Sequence, residues 1–206
     1  MPESASRTLV LLRHGRTAWN HALRVQGQTD VELDDVGRAQ ATAAAAVVAK
    51  LGPRLLWSSD LLRARVTADA VADATGLTAT YDERLREFHL GERQGLTHEE
   101  YAALDPEGFT EFRSGRYDAA PGAEPTDVVR RRMSAVLHEL LAALGPGETG
   151  VAVSHGAAIR VATGAMLGWP DEQFHTLRGL ANCGWVVLEE HPHDGGLRLG
   201  AYNRTG

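Results

Sequence analysis

The stretch LVLLRHGRTAWN, residues 9–20, joins four apolar residues directly to an arginine, a histidine and a glycine. A short apolar run that leads into a turn-prone segment is typical of a buried strand. A second run of this kind, GVAVSHG at residues 150–156, ends in the same histidine–glycine pair. The sequence therefore predicts two buried strands, with His14 at the end of the first and His155 at the end of the second.

Strand and helix patterns alternate along the rest of the chain. An alanine-rich helix is expected after Asp34, its N-cap, and a helix over residues 60–75 is expected to end at Gly76. Further strands are predicted over residues 54–59, 77–83, 182–191 and 197–203. This alternation predicts a three-layer α/β/α sandwich with a mostly parallel central sheet. Ligands of such sheets bind at the carboxyl ends of the strands, where both histidines are expected.

Two more helices are predicted between the third and fourth strands. A short one begins at the capping box THEE, in which Thr97 caps the helix and Glu100 reaches back. A long one is expected over residues 126–144, because its apolar residues recur every three or four positions. The apolar stripe consists of Val129, Met133, Val136, Leu140 and Leu144. The run Arg130–Arg132 lies mostly off this stripe, so these arginines are expected to face solvent.

A chain of 206 residues and 22.2 kDa suits one domain, so we predict a single domain over 1–206 with a substrate-specificity insertion at about 88–125. The net charge of -6 argues against a nucleic-acid surface. No apolar run approaches the roughly 18 residues of a membrane span, and a cytoplasmic location is expected. Cys183 is the only cysteine, which excludes a cysteine metal cluster. A homodimer is left open, because nothing in the sequence reports the oligomeric state.

A pair of strand-end histidines favours a shared site, and four kinds of chemistry are compatible with it. Zinc would need a third protein ligand, and Arg13 would place another cation beside the metal. A serine hydrolase would need an elbow such as G-x-S-x-G, which AVSHG is not. A general-base pair would have no need of nearby arginines. Phosphoryl transfer would need them, because a phosphate monoester is a dianion whose charge must be held during transfer.

In the phosphoryl-transfer interpretation, Arg13 binds phosphate oxygens while His14, as a neutral imidazole, attacks phosphorus. The glycine after His14 would let the backbone approach the anion closely. Arg63 lies near the start of the helix after the second strand, so we expect it at the same edge of the sheet. Glu87 follows the third strand, where it is either a general acid or one member of a surface ion pair with the arginines near it.

The segment RHGRTAWN resembles the R-H-G-x-T-x-x-N signature of the histidine phosphatase superfamily, in its phosphoglycerate mutase-like branch. The stretches QGQTDVELDDVGRAQA, SSDLLRARVTA, RLREFHLGERQGLT and AVSHG follow in the order and spacing of that family. The resemblance covers most of the chain. It implies a phosphoglycerate mutase-like fold, a small phosphorylated metabolite as substrate, and no metal or organic cofactor.

The resemblance also implies roles for individual residues. His14 matches the phosphorylated nucleophile, and His155 matches the second catalytic histidine, which binds the phosphoryl group and stabilises its transfer. Glu87 matches the acid that protonates the leaving alkoxide and later activates water. Arg13 and Arg63 match phosphate-binding cations. The remaining phosphate-binding positions are Asn20, Gln26, Gly27 and Gly156.

The family contains both hydrolases and mutases, and three positions favour hydrolysis here. Leu90 stands where the resemblance to mutases would require a tyrosine, no lysine follows Gly95, and Ala157 replaces an asparagine. A phosphoglycerate mutase and a non-catalytic phosphate-binding protein are the alternatives. The sequence looks most like actinobacterial phosphatases of the family, including those that act on glucosyl-3-phosphoglycerate, and sugar phosphates are also candidate substrates.

Further candidate contacts to the substrate come from the less regular part of the chain and from one turn near its end. A carboxylate or sugar on the substrate would suit their side chains, although an exposed or turn position would also explain each of them. These residues are His89, Arg113, Arg116, Tyr117 and Asn182.

Overall fold

The structure is a computed structural model that describes residues 6–170, 173–191 and 193–206. In this part of the chain, one sheet contains the strands β1 (Thr8–Arg13), β2 (Pro53–Ser58), β3 (Ala79–Tyr81), β4 (Thr149–Ser154), β5 (Trp185–Glu190) and β6 (Leu197–Arg204). Their order in the sheet is β3-β2-β4-β1-β5-β6. The neighbours β3, β2, β4 and β1 run parallel, whereas β5 is antiparallel to both β1 and β6. The predicted mostly parallel sheet is confirmed.

Helices cover both faces of the sheet. They are α1 (Ala18–His21), α2 (Asp35–Val48), α3 (Leu62–Thr75), α4 (His98–Leu104), α5 (Pro106–Ser114), α6 (Thr126–Ala142) and α7 (Gly156–Met166). Because successive side chains of a strand point to opposite faces, β1 contributes to two cores. Leu9 and Leu11 pack with α6 and α7, and Val10 and Leu12 pack with α2 and α3. The predicted three-layer α/β/α sandwich is therefore confirmed.

Several local predictions are confirmed by the backbone. Gly76 ends α3 in the left-handed conformation, with φ of 73°. The Thr97–Glu100 capping box is formed at the start of α4. The third strand is shorter than predicted, because only three of its residues pair with β2. Helix α5 was not predicted, although Asp105 caps it and Pro106 occupies its first turn.

The long helix α6 ends two residues before its predicted end, and the predicted apolar stripe is buried on the α7 side of the sheet, with Leu144 just beyond the helix. The expectation for its arginine run is only partly right. The side chain of Arg131 is exposed and forms an ion pair with Asp127 one turn earlier. The side chain of Arg132 is only 15% exposed and forms an ion pair with Glu124, so the prediction of a solvent-facing side chain is wrong there.

Candidate active site

The two predicted histidines meet because of the register between the central strands. Arg13 at the end of β1 lies directly opposite Ser154 at the end of β4, so the next residue of each strand leaves the sheet at the same point. The rings of His14 and His155 are 5.2 Å apart between centroids. Both side chains are buried at the carboxyl edge of the sheet.

The environment of His14 leaves one ring nitrogen available for attack. Nδ1 lies 2.7 Å from the carbonyl oxygen of Gly15, and this oxygen can only accept, so Nδ1 carries the proton. The lone pair of a neutral ring is then on Nε2. Burial, followed by the positive charges of Arg63 and Arg13, holds the pKa of His14 well below its ordinary value of 6.5. The ring is consequently neutral at pH 7, as a nucleophile requires.

Arg63 is fixed from three sides near the start of α3. Its Nη1 and Nη2 donate to the carbonyl oxygens of Thr29 at 2.8 Å and Gly27 at 2.7 Å, while its Nε donates to Nδ1 of His155 at 3.2 Å. Burial lowers the pKa of Arg63 to about 10, so the guanidinium stays positive at pH 7. Asp30, in the same loop as Gly27, accepts from the backbone N–H of Leu62 and ties this loop to the helix start.

Arg13 brings a second cation to the same place. Its Nη1 donates to the carbonyl oxygen of Leu180. Its Nε is buried and has no hydrogen-bond partner among the described residues. Buried unpaired donors are rare, and a donor left open at a binding site is explained by a ligand that accepts from it. An added Cβ at Gly156 would lie 3.2 Å from this Nε, so the glycine gives the guanidinium room beside the start of α7.

His155 lies beside His14, and its role as the second catalytic histidine stays a prediction. It is fully buried behind the cavity and does not line it. Nδ1 accepts from Arg63, and Nε2 lies 2.9 Å from the hydroxyl of Ser59, so both ring nitrogens already have protein partners. Burial and the charge of Arg63 hold the pKa of His155 well below 6.5. In this geometry the neutral ring orients Arg63.

The carboxylate of Glu87 lies at the N-terminus of α7. Its Oε2 accepts from the backbone N–H of Ala157 at 3.1 Å, and its Oε1 accepts from Ala158 at 2.9 Å and Phe88 at 3.0 Å. Helix N-termini stabilise negative charge, and they direct backbone donors at it. The alternative of a surface ion pair is wrong, since neither nearby arginine pairs with Glu87: Arg84 binds Asp82 and Glu139, and Arg86 binds Asp60.

A network of amides and one hydroxyl closes the end of the cavity that holds Arg13, His14 and Arg63, which we call the phosphate end after the group expected there. Oδ1 of Asn20 accepts from the backbone N–H of Thr17 at 3.1 Å and from Nδ2 of Asn182 at 3.1 Å. Its oxygen is therefore engaged, and Asn20 lines the cavity. Oε1 of Gln26 accepts from the Thr17 hydroxyl at 3.1 Å. Gly27 follows with φ of 55°, and an added Cβ there would lie 2.0 Å from Oε1 of Gln94.

The glycine after His14 has a different role from the one predicted. Gly15 does not line the cavity. An added Cβ there would lie 2.4 Å from the carbonyl oxygen of Gly37, in the first turn of α2. The backbone N–H of Gly15 donates to the hydroxyl of Thr67 in α3. The absence of a side chain therefore lets the loop after β1 pack between two helices, which fixes His14 and does not serve an approach to the anion.

The cavity has a volume of about 380 Å³ and continues from the phosphate end to an outer end of different character. That outer end is lined mainly by apolar and aromatic side chains, namely Trp19, Leu23, Leu90 and Phe112. Sites for small organic ligands span about 300–1,000 Å³ and are mostly apolar. The cavity is therefore large enough for a phosphate monoester with a sizeable leaving group.

The five further candidate contacts divide between this cavity and the surface. Tyr117 and Asn182 line the cavity. Arg113 and Arg116 are exposed on and after α5, and Arg116 forms an ion pair with Glu111. His89 is also exposed; its Nδ1 lies 3.3 Å from the carbonyl oxygen of Gly122, so it braces the neighbouring loop. The structure thus brings two of the five candidates to the site and leaves three outside it.

The comparison with protein families decides between the chemistries that the histidine pair left open. A model of the histidine phosphatase superfamily (branch 1) matches residues 9–204. The chain belongs to the histidine phosphatase superfamily. As a member of this superfamily with relatives that are phosphatases, it is an enzyme, a phosphoric monoester hydrolase.

Individual relatives of this histidine phosphatase cover nearly its whole length. A glucosyl-3-phosphoglycerate phosphatase of Mycolicibacterium vanbaalenii is 43% identical over 90% of this chain and 85% of the relative. A solved structure of a mycobacterial glucosyl-3-phosphoglycerate phosphatase complexed with VO3 is 40% identical, with a TM-score of 0.90 over 97% of this chain and 100% of that chain. A probable phosphoglycerate mutase of Yersinia pestis is 37% identical over 84% of this chain and 80% of the relative.

Several residues that shape the site of this histidine phosphatase were not identified from its sequence. Ser59 lies against His155, and Arg24 lines the outer end of the cavity with its guanidinium 5.7 Å from the Trp19 ring. Arg160, in the interior of α7, donates to the hydroxyl of Tyr117 at 3.0 Å. The segment SSD, residues 58–60 at the end of the second strand, is a signal that could have indicated Ser59. No comparable local signal marks Arg24 or Arg160.

Neither a metal cluster nor a membrane-crossing helix was found in the parts of the chain that the structure describes. No group of three or more His, Cys, Asp or Glu side chains there could hold a metal ion. No described helix is long and apolar enough to cross a membrane.

Proposed function

We propose that this phosphatase hydrolyses glucosyl-3-phosphoglycerate, or a closely related phosphorylated glycerate or sugar, through a phosphohistidine formed on His14. The observation that carries the proposal is the geometry at the strand ends. A neutral imidazole with its Nε2 lone pair available lies beside two buried arginines, one of which has an unpaired buried donor. Two relatives at 40–43% identity are named as phosphatases for this substrate.

In the first step, we propose that the Nε2 lone pair of His14 forms a bond to phosphorus while the bond between phosphorus and the leaving oxygen breaks. The guanidinium groups of Arg13 and Arg63 hold the charge on the non-bridging oxygens. The proton on Nδ1 stays on the ring, held by the carbonyl oxygen of Gly15. Glu87, in its protonated form, donates its proton to the leaving alkoxide.

In the second step, water attacks the phosphorus of the phosphohistidine. Glu87, now a carboxylate, takes a proton from this water, and the bond between phosphorus and Nε2 breaks. The electron pair returns to His14, and inorganic phosphate is released. The free enzyme is restored with both histidines neutral. Because Nδ1 keeps its proton, the ring of His14 is formally positive in the phosphohistidine, next to the negative phosphoryl group, and it returns to the neutral form when the bond between phosphorus and Nε2 breaks.

Water, and not a second phosphoglycerate, is the proposed acceptor. A mutase must keep the glycerate bound while it reorients, and it must keep water away from the phosphohistidine. Leu90 and Ala157 line the cavity where the resemblance to mutases would require a tyrosine and an asparagine. Lys50, the only lysine of the chain, lies between α2 and β2 and does not line the cavity. The apolar side chains of Leu90 and Ala157 cannot form the hydrogen bonds or ion pairs with a glycerate that polar or charged side chains would form, which supports hydrolysis.

The residues 88–125, which we call the specificity segment, are proposed to select the leaving group within a single domain. The support is that this segment supplies much of the outer end of the cavity: Leu90, His98, Phe112 and Tyr117. Tyr117 accepts from Arg160, so its own hydroxyl proton can be donated to a ligand. Arg24 adds a positive charge, which suits the carboxylate of a glycerate. The cytoplasmic location stays a prediction, and the homodimer stays open.

The experiment is a measurement of phosphate release by the purified protein in the presence of EDTA. The substrates are glucosyl-3-phosphoglycerate, 3-phosphoglycerate, a panel of sugar phosphates and p-nitrophenyl phosphate. We expect release from glucosyl-3-phosphoglycerate with the highest kcat/KM of the natural substrates. Release from p-nitrophenyl phosphate alone would contradict the assignment of the substrate but leave the phosphatase chemistry intact.

A second assay separates hydrolysis from mutase activity. The protein is given 3-phosphoglycerate with a catalytic amount of 2,3-bisphosphoglycerate, and 2-phosphoglycerate is measured beside inorganic phosphate. We expect negligible 2-phosphoglycerate. Rapid interconversion of the two phosphoglycerates without phosphate release would contradict the proposal and favour the mutase alternative.

A further inference from the structure

Arg132 lies behind Glu87 and binds the backbone that carries it. Its Nη1 donates to the carbonyl oxygens of Arg84 at 2.8 Å and Arg86 at 2.6 Å. Its Nη2 donates to the carbonyl oxygen of Glu87 itself at 3.0 Å. One guanidinium thus donates hydrogen bonds to three carbonyl oxygens within four consecutive residues. In this stretch the chain leaves a short 3-10 turn, Glu83–Leu85, and is not part of the sheet.

The guanidinium of Arg132 is itself held in place by Glu124. Nε lies 2.8 Å from Oε1, and Nη2 lies 2.9 Å from Oε2, so the ion pair is bidentate. Both side chains are only 15% exposed. The backbone N–H of Glu124 donates to the carbonyl oxygen of His89 at 2.8 Å. The ion pair therefore contacts the chain on both sides of Glu87, before it through Arg132 and after it through Glu124.

We propose that Arg132, fixed by Glu124, is a positioning residue that places the Glu87 carboxyl group for proton transfer. The physical reason is the shape of the site. Glu87 must reach the backbone donors of Ala157 and Ala158 from a loop that has no regular hydrogen bonding of its own, so its place depends on what binds that loop. A planar guanidinium with five donors can bind several carbonyl groups and a carboxylate together, which an ammonium group cannot do.

Arg132 acts through Glu87, since it touches only the backbone of that residue and does not line the cavity. The inference rests on the proposed phosphatase mechanism, in which Glu87 protonates the leaving group. A misplacement of about 1 Å at a reacting group can cost a factor of about 10² in rate. Loss of Arg132 should therefore harm only those reactions that need the proton of Glu87.

The adjacent residue provides a matched control. Arg131 is on the same helix turn and has the same charge, but its side chain is 69% exposed and pairs with Asp127. Replacement of Arg131 by glutamine changes the net charge as replacement of Arg132 does, and it leaves the Glu87 loop untouched. The comparison of the two variants separates the specific contacts from the general effect of removing a cation.

The test measures kcat/KM for two substrates with Arg132→Gln, Arg132→Lys and Arg131→Gln. Glucosyl-3-phosphoglycerate needs a protonated leaving group, and p-nitrophenyl phosphate largely does not. If the wild type does not hydrolyse the former, glycerol 3-phosphate replaces it. We expect Arg132→Gln to lose about 10- to 100-fold on the alkyl phosphate and less than about 3-fold on the nitrophenyl ester. Arg132→Lys should lose less, and Arg131→Gln should match the wild type on both.

The double variant Glu87→Gln with Arg132→Gln identifies the path of the effect. The kcat/KM of the double variant on the alkyl phosphate should be no lower than that of Glu87→Gln alone. The reason is that Arg132 acts through the Glu87 carboxyl group, which Glu87→Gln has already removed. Multiplied losses in the double variant, or equal losses on both substrates in Arg132→Gln, would overturn the inference. If Arg132→Gln does not fold, Arg132→Lys and Glu124→Gln carry the same test by the same criterion. An inactive wild type would instead overturn the phosphatase mechanism.

Discussion

At the phosphate end of the cavity, functional side chains come from strand ends and helix starts, whereas the outer end is built from loops and short helices of the specificity segment. His14 leaves β1 and His155 leaves β4 in neighbouring register, and Arg63 lies in the first turn of α3. Tyr117 reaches the outer end from a turn after α5, where Arg160 holds its hydroxyl.

The two ends differ in what holds their side chains. The phosphate end consists of buried charged and polar groups, each with backbone or side-chain partners, so its geometry is present before a substrate arrives. The outer end is mostly apolar and presents few directed donors. Preorganised charge suits the phosphoryl group, which all substrates share. An apolar wall suits the leaving group, which differs from one substrate to another. We therefore expect variants of the phosphate end to affect all substrates and variants of the outer end to affect only large ones.

The largest expected effect lies where the two ends meet, at Glu87. Glu87→Gln keeps the shape of the side chain and removes its proton. Loss of a general acid costs about 10²- to 10⁴-fold, so glucosyl-3-phosphoglycerate hydrolysis should fall by this factor. Hydrolysis of p-nitrophenyl phosphate should fall much less, because nitrophenolate leaves without a proton. Steady-state kinetics with both substrates check this, and equal losses would instead indicate a binding role for Glu87.

At the phosphate end, Arg63→Gln should lower kcat/KM for every phosphate monoester by a similar factor, about 10²- to 10³-fold. The replacement removes charge stabilisation of the transferring group, which all substrates share. Arg65→Gln is the control, because Arg65 is on the same helix but exposed, with its guanidinium 4.7 Å from the Tyr81 ring. A loss of kcat/KM in Arg63→Gln that depended strongly on the leaving group would contradict the expectation that variants of the phosphate end affect all substrates alike.

At the outer end, Tyr117→Phe should raise the KM for glucosyl-3-phosphoglycerate by about 2- to 10-fold. This is the range for one neutral hydrogen bond, since such a bond contributes about 0.5–1.5 kcal/mol. The KM for p-nitrophenyl phosphate should not change. Arg116→Ala, at an exposed position one residue earlier, should leave both values as they are. An effect of Arg116→Ala larger than that of Tyr117→Phe would move the substrate contact to the surface of the specificity segment.

The smallest expected effect concerns pH. Because burial lowers the pKa of His14, the neutral ring persists as pH falls through 6.5 and is lost only well below it. Single-turnover release of nitrophenolate should therefore fall by less than about 1.5-fold between pH 7.5 and 6.0. A histidine with the ordinary pKa of about 6.5 would lose about fourfold over this interval. A fourfold loss would show that the site does not depress the pKa of its nucleophile.

The phosphate end was largely predictable from sequence because its residues stand at fixed offsets from strand ends. An apolar run followed by RHG or SHG specifies both the strand and the position of the histidine after it, and a parallel sheet brings such positions to one edge. The partners of His155 were not predictable in this way. Ser59 and Arg63 meet it through the register of β2 against β4, which no local pattern encodes.

The specificity segment was harder to predict, because its contacts depend on tertiary packing. Arg113, Arg116 and Tyr117 look equally suitable in the sequence, and only the course of the chain after α5 places one of them in the cavity. Arg132 illustrates the same limit on a regular helix. It lies next to the apolar stripe of α6. Helical periodicity does not predict that its guanidinium donates to three backbone carbonyl oxygens.

The most direct test of the account is the site of phosphorylation during turnover. The enzyme is mixed with substrate labelled at phosphorus, quenched at alkaline pH within milliseconds, and mapped by mass spectrometry, with His14→Ala as the control. The account predicts an acid-labile phosphoryl group on His14, formed and lost at rates that match phosphate release, and none in the folded but inactive control. Phosphate release without labelled protein, or a label on His155 with His14→Ala still active, would contradict it.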